Sequence, residues 1–388
     1  MKETILKTVE QVGPELDELS RKIYEKPETA YEEFTACKLH TELLEKYGFD
    51  VERNFCEIET GFKASYDSGK PGLTVGIMAE YDALPGMGHG CGHNILGAVG
   101  SGAGIALKSV IDQIGGKVIV YGTPAEEYNG AKMYYAKKGG FDELDFGMMA
   151  HPNATYNKCS HMLALGPMMF EFHGKPAHAS AAPEEGRNAM DAMILAISGI
   201  NALRQQMKSS SRIHGVVLKC GEVNNIIPEF ASAEFVVRSR TKTYNEELRE
   251  RVRNCIRGAA LQTGTECKFT DPDVYLDNMI SNRTMEQIFC DQMEETFGIT
   301  VGEPPEESGS NDAGLLSKIC PFIHPLFAIC PEEKHPAHTE GFREATMTDF
   351  AKQQMRNTAV GLALTAVEVM TKPEVYAKIR EEFENAER

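Results

Sequence analysis

The chain has 388 residues, 42% of them hydrophobic and 25% charged, with a formal charge of −17. These are globular values; they exclude a disordered chain and leave room for two domains or one large α/β unit. The charge would repel nucleic acid with no Lys/Arg cluster to offset it, and no run of about 18 apolar residues marks a membrane span, so neither partner is expected.

The N-terminus, MKETILKTVEQVGPELDEL, is charged throughout and lacks the apolar core of a signal peptide. Ile5, Val9, Val12, Leu16, Leu19 and Ile23 fall at helical spacing and predict an amphipathic helix over residues 3–25. A second helix is expected from Tyr31 to Tyr47, ending at Gly48. Residues 49–66 and 73–79 read as strands, the second apolar enough to be central in a sheet. The loop GHGCGHN follows, then a helix whose small residues (ILGAVGSGAGIALKS) would let it lie close to a sheet. KVIVYGTPAEE and residues 145–152 (DFGMMAHP) each read as a strand ending in a polar turn.

The pattern changes near residue 165. Strand 167–173, helix 186–208, strand 216–221, strand 231–240, helix 245–263 and strand 266–270 follow in βαββαβ order, the arrangement of a ferredoxin-like sandwich. The expected division is an α/β domain of residues 1–164 and 276–388, interrupted by an inserted domain of residues 165–275. No phosphate loop is present, because GAVGSGAGIALKS lacks the Gly-Lys-Ser ending, and no GxSxG elbow occurs.

In an α/β sheet, the loops after the carboxyl ends of the strands build the site. Three successive strands here end in chemistry-bearing groups: Asp82 with the GHGCGHN loop, Glu126–Glu127, and His151. Cys91, His93, Glu127 and His151 form a mixed sulfur, nitrogen and oxygen set suited to zinc. The intervening glycines would let the loop bend around an ion, whose binding offsets their entropy. Ten cysteines at irregular spacing, in a chain too long to need staples, point to reduced thiols and a cytoplasmic location. Adjacent residues on an extended turn face different ways, so of Glu126 and Glu127 one can ligate while the other takes a proton from a water. Asp82 fits a supporting carboxylate. In KHPAHTEG either His335 or His338 could complete the shell, and in HGKPAHAS either His173 or His178 could donate to an oxyanion from a lid. A thiol-dependent hydrolase using Cys91, and a non-catalytic peptide or small-molecule binding protein, are the competing readings.

Several of these stretches, in order, are similar to one family. LSRKIYEKPETAYEE, AEYDALPGMGHGCGHN, GTPAEE, MMAHP, HGKPAHAS, GEVNNIIPE and HPAHTEG resemble the zinc aminoacylase/carboxypeptidase superfamily of co-catalytic metallopeptidases. The likeness is strongest to its Cys-containing amidohydrolase branch, near p-aminobenzoyl-glutamate hydrolases and β-alanyl dipeptidases. It implies a zinc-peptidase-like α/β domain, with a mixed sheet flanked by helices, interrupted by a ferredoxin-like lid. It further implies two divalent ions, zinc or alternatively manganese, and hydrolysis of amide bonds in N-acyl amino acids or small peptides. By the same resemblance the ligands fall on Cys91, His93, Glu127, His151 and His338, with Cys91 bridging, and the base on Glu126 beside Asp82. His178, Asn225 and Arg238 then contact substrate, His178 from the partner subunit of a homodimer or higher homo-oligomer. Two departures stand out: auxin-conjugate hydrolases of this family carry Asp where this chain has Glu80 and Asn94.

Overall fold

A computed structural model describes every residue except 129, 273, 305–308, 332–333 and 387–388. Within it the chain forms two compact units, one of Met1–Ser160, Ile280–Glu306 and Leu315–Glu387, the other of His161–Met279 and Glu307–Gly314.

The first unit opens with α1 (Lys2–Glu25), which buries Ile5, Val9, Val12, Leu16, Leu19 and Ile23 on one face. Each such side chain contributes roughly 1.5–3 kcal/mol when taken from water. α2 (Phe34–Lys46) follows. Residues 49–66 do not form one strand. They make β1 (Asp50–Arg53) and β2 (Phe62–Asp67), an antiparallel pair with Asp50 opposite Ser65. The chain reverses through Asn54, Cys56 and Glu57, whose φ values are +55°, +53° and +68°. Left-handed backbone in residues other than glycine leaves little mark in hydrophobic patterning, which is why the break is not visible there.

β3 (Thr74–Ala79), α3 (His93–Ile114), β4 (Lys117–Gly122), α4 (Ala131–Lys137) and β5 (Phe146–Met148) build the heart of this unit. β3 lies between β4 and β5, parallel to both, so three carboxyl ends open onto the same edge. A Cβ at Gly100 of α3 would lie 2.7 Å from the Met78 carbonyl oxygen, so the small residues do bring this helix hard against β3. α3 is long and apolar enough to match a membrane span by composition; 89% of its apolar window is buried in the unit's interior, which accounts for the apolarity. His151 does not end β5. It starts the separate strand β6 (His151–Asn153), because the chain leaves the large sheet after Met148 and pairs elsewhere.

The second unit runs β7 (Ala164–His173), α5 (Ala189–Leu203), β8 (Arg212–Cys220), β9 (Phe230–Ser239), α6 (Lys242–Thr263) and β10 (Glu266–Thr270). Its sheet has the order β10-β7-β9-β8, antiparallel throughout, with both helices packed on it. That is the ferredoxin-like topology. Phe170, Phe172, Met193, Leu248, Val252 and Ile256 fill its own core. β8 lies at the sheet edge and exposes Val216, Val217 and Leu218.

The chain then returns to the first unit with α7 (Arg283–Phe297), α8 (Leu316–Ile319), β11 (Phe322–Ile323), β12 (Leu326–Ala328), α9 (Glu340–Ala345), α10 (Asp349–Thr371) and α11 (Pro373–Asn385). β11 extends the large sheet beside β5, giving the mixed order β1-β2-β4-β3-β5-β11, and β12 pairs with β6.

Candidate metal centre

The carboxyl ends of β3, β4 and β5 deliver Asp82, Glu126–Glu127 and the segment leading to His151 to one place. Two groups of ligand atoms form there. Cys91, His93 and His151 make one triad, and Cys91, Glu127 and His338 make the other; within each, the ligand atoms lie within 4.8 Å of one another. Cys91 belongs to both.

Both inner histidines are oriented by their Nδ1 atoms. His93 Nδ1 lies 3.1 Å from the Asp82 carbonyl oxygen and 3.1 Å from Asp82 Oδ1. Both partners are acceptors, which assigns the proton to Nδ1 and leaves a lone pair on Nε2. His151 Nδ1 donates to the Pro152 carbonyl at 2.8 Å, and its Nε2 faces Cys91 Sγ at 3.6 Å. The outer oxygen of Asp82, Oδ2, accepts from the Glu127 backbone N–H at 2.9 Å. One carboxylate therefore fixes a residue of each triad.

The last loop enters through its backbone. His338 donates its N–H to the Gly90 carbonyl at 2.8 Å, and its Nε2 comes within 3.5 Å of Glu127 Oε1. His335 packs instead against Gly341 and joins neither triad. Glu126 points toward the first triad, with Oε2 3.8 Å from His93 Nε2. Ala125, just before it, has φ +62°, and its N–H is held by Glu33 Oε1 at 3.0 Å.

The electrostatics describe a centre with too much negative charge. Burial alone would lower the His93 pKa, yet the Cys91 and Asp82 groups beside it push it well above its ordinary value. Burial pushes the Cys91 thiol up and, with the charge of His93, pushes His151 down. A bound cation inverts this balance, since it favours thiolate and neutral imidazole. Buried atoms ask for one: among the described residues His93 Nε2 and Glu127 Oε1 have no hydrogen-bond partner. Leaving such groups unsatisfied costs on the order of 1–3 kcal/mol each. The donor set of sulfur, imidazole nitrogen and carboxylate oxygen fits a zinc-like ion.

Comparison with known proteins agrees with this geometry. Residues 165–264 match the model of the peptidase dimerisation domain. The Xaa-Arg dipeptidase of Mus musculus is 33% identical over 402 residues, spanning 99% of this chain and 92% of that protein. The chain belongs to the aminoacylase/carboxypeptidase superfamily. A p-aminobenzoyl-glutamate hydrolase component from Escherichia coli K12 is also 33% identical, over 69% of this chain and 60% of its own length. A Bacillus subtilis structure described as a dinuclear metal-binding peptidase of the M20 family superposes with a TM-score of 0.71 at 19% identity, covering 92% of this chain and 99% of that one.

The candidate substrate residues of this superfamily member lie in the second unit. His178 is exposed, and its Nδ1 accepts from the backbone N–H groups of Ser180 and Ala181. Asn225 is beside it, its carbonyl accepting from Ala179 N–H at 3.0 Å. Arg238, half-buried on β9, donates to His214 Nε2 and Ser310 Oγ; among the described residues it has no acidic partner.

Three buried groups near the centre were not singled out as site residues from the sequence. Glu80 pairs with Lys132 at 2.6 Å, both side chains fully buried. Lys132 sits in a short helix with no spacing that marks it. Glu80 is legible in hindsight, two residues before Asp82 at the same strand end. His324 is buried, with both ring nitrogens unpartnered among the described residues and its ring 5.7 Å from that of His151. Its signal is a second His-Pro pair, His324-Pro325, after β11 as His151-Pro152 follows β5.

Proposed function

We propose that this chain hydrolyses amide bonds in small peptides or N-acyl amino acids, using two divalent cations held by Cys91, His93, His151, Glu127 and His338, with zinc expected and manganese the alternative. The observation that carries the reading is the pair of ligand triads sharing Cys91. Two ions at such a site supply Lewis-acid polarisation of the scissile carbonyl and a water acidic enough to deprotonate near neutral pH.

The chain's own groups do the rest. Glu126 accepts a proton from the attacking water as the new C–O bond forms, and returns it to the amine nitrogen as the C–N bond breaks. Asp82 keeps His93 in the tautomer that presents Nε2 and holds the Glu127 backbone in place. His178 and Asn225 are assigned to the substrate's carbonyl and backbone. Arg238, a half-buried cation without an acidic partner among the described residues, suits a substrate carboxylate. The edge strand β8 and the exposed Met190, Ile194 and Leu195 of α5 give the second unit an apolar surface that supports a homodimer. A thiol mechanism would employ Cys91 and one histidine but leave Glu127 and His338 without a task.

Glu126→Gln tests the mechanism. The variant should keep the wild-type metal content and lose about 10²–10⁴-fold in kcat. Normal turnover by that variant overturns the mechanism. The substrate panel includes dipeptides ending in Arg, p-aminobenzoyl-glutamate and simple N-acyl amino acids, because the relatives' names divide between the first two.

A further inference from the structure

Glu80 is a fully buried carboxylate with one satisfied oxygen and one orphan. Oε1 accepts from Lys132 Nζ at 2.6 Å. Among the described residues Oε2 has no hydrogen-bond partner, and it lies 3.4 Å from His93 Nε2, which has none either. When His93 is neutral, as a metal ligand must be, its proton lies on Nδ1 and these two atoms confront each other as lone pairs in a place closed to water. Lone pairs at that separation repel unless something positive lies between them. A proton there would make His93 an imidazolium and remove it as a ligand, which contradicts its place in the first triad. Glu80, His93 and Glu126 also offer one ligand atom each, all within 4.8 Å of one another. Neighbouring ligand atoms around a tetrahedral zinc with bonds of about 2.0–2.2 Å sit about 3.4 Å apart, the separation found between Glu80 and His93.

We propose that Glu80 Oε2 ligates the same cation as His93 Nε2, with Lys132 holding the carboxylate so that this oxygen is aimed inward. The assignment rests on the two-cation reading above and adds a ligand to it. Lys132 neutralises the charge of a carboxylate that would otherwise be buried alone, and its hydrogen bond falls on the oxygen turned away from His93. Glu126, at 3.8 Å from the same nitrogen, is thereby left to proton transfer.

The test uses metal-free full-length protein titrated with Co²⁺, followed by calorimetry and by the visible ligand-field bands. Wild type should take two equivalents. Glu80→Gln should weaken one of the two by at least 10-fold to 100-fold and change the intensity of the visible bands, which report coordination number. Because Glu80→Gln strands Lys132, the double variant Glu80→Gln/Lys132→Met removes the pair together and should show the same loss. If wild type takes two equivalents and the double variant binds both with unchanged affinity and unchanged bands, Glu80 is no ligand and the two-cation reading stands. If wild type takes none, both fall together.

Discussion

Asp82 shows how far a single side chain can reach in this centre. Its two oxygens and its carbonyl set the His93 tautomer and the Glu127 backbone, so a candidate ligand of each triad depends on it. Glu33 works one layer further out. It accepts from Thr60 Oγ1 at 2.9 Å and from Ala125 N–H, steadying a left-handed residue immediately before Glu126. Burial, with Asp82 adding to it, pushes the Glu33 carboxyl up to about 7 from 4.5. The folded protein therefore keeps this proton where the unfolded chain has released it. The resulting stabilisation is complete below pH 4.5 and is lost as pH rises to about 7. In metal-free protein, Glu33→Gln should remove this slope, an effect on the order of 3 kcal/mol across the window, read by urea unfolding at stepped pH. A wild-type-minus-variant difference that stays constant with pH would contradict it. At this scale Asp82, Cys91, His93, Glu126, Glu127 and His151 are legible in the sequence as groups at strand ends. Glu33, whose partner lies 92 residues away, and Lys132, whose helix carries no distinguishing pattern, are not.

Among the elements, the join between the glycine loop and α3 is the most constrained. Gly92 caps α3 with φ +81°, and a Cβ there would stand 2.6 Å from Pro152 Cγ, next to His151. The glycine is thus needed twice, for its backbone angle and for close approach to β6. Gly86 in the same loop has φ +73° with nothing near a Cβ. Gly92→Ala should cost about 2–4 kcal/mol, from left-handed strain plus overpacking. Gly86→Ala should cost about 1–2 kcal/mol, from the strain alone. Guanidinium unfolding of both variants separates the two sources, and equal losses would show that Pro152 yields freely. Helix α1 was legible because apolar spacing and burial agree in it, and α3 because its run of small residues marks a helix pressed against a sheet. The β1–β2 reversal was not, because its left-handed turn is made by Asn54, Cys56 and Glu57 in place of Gly or Pro. The start of β6 was hidden for another reason: its pairing partner β12 lies some 175 residues further on, and local sequence carries no trace of it.

At the scale of the whole molecule, the first unit is assembled from segments far apart in the chain. His338 reaches the centre only because residues 315–386 fold back past the second unit's sequence to the N-terminal part. Ions bound across Cys91, His93, Glu127, His151 and His338 would therefore clamp the first and last of the three segments of this unit. With free ion at about 100 times its dissociation constant, linkage adds about 2.7 kcal/mol. For a unit of this size, removing the ions with a chelator should lower Tm by about 5–10 °C, restored by Zn²⁺ or Mn²⁺ and followed by calorimetry. A melting curve indifferent to chelation would argue against the clamp.

The shared position of Cys91 has a chemical corollary. Peroxide that carries this one sulfur to the sulfinic state would strip a donor from both triads in a single event, and ordinary thiol reductants would not reverse it. A carboxylate in the same place would be immune. The centre thus ties its working life to the redox state of one atom, and the burial of Cys91 is what shields that atom.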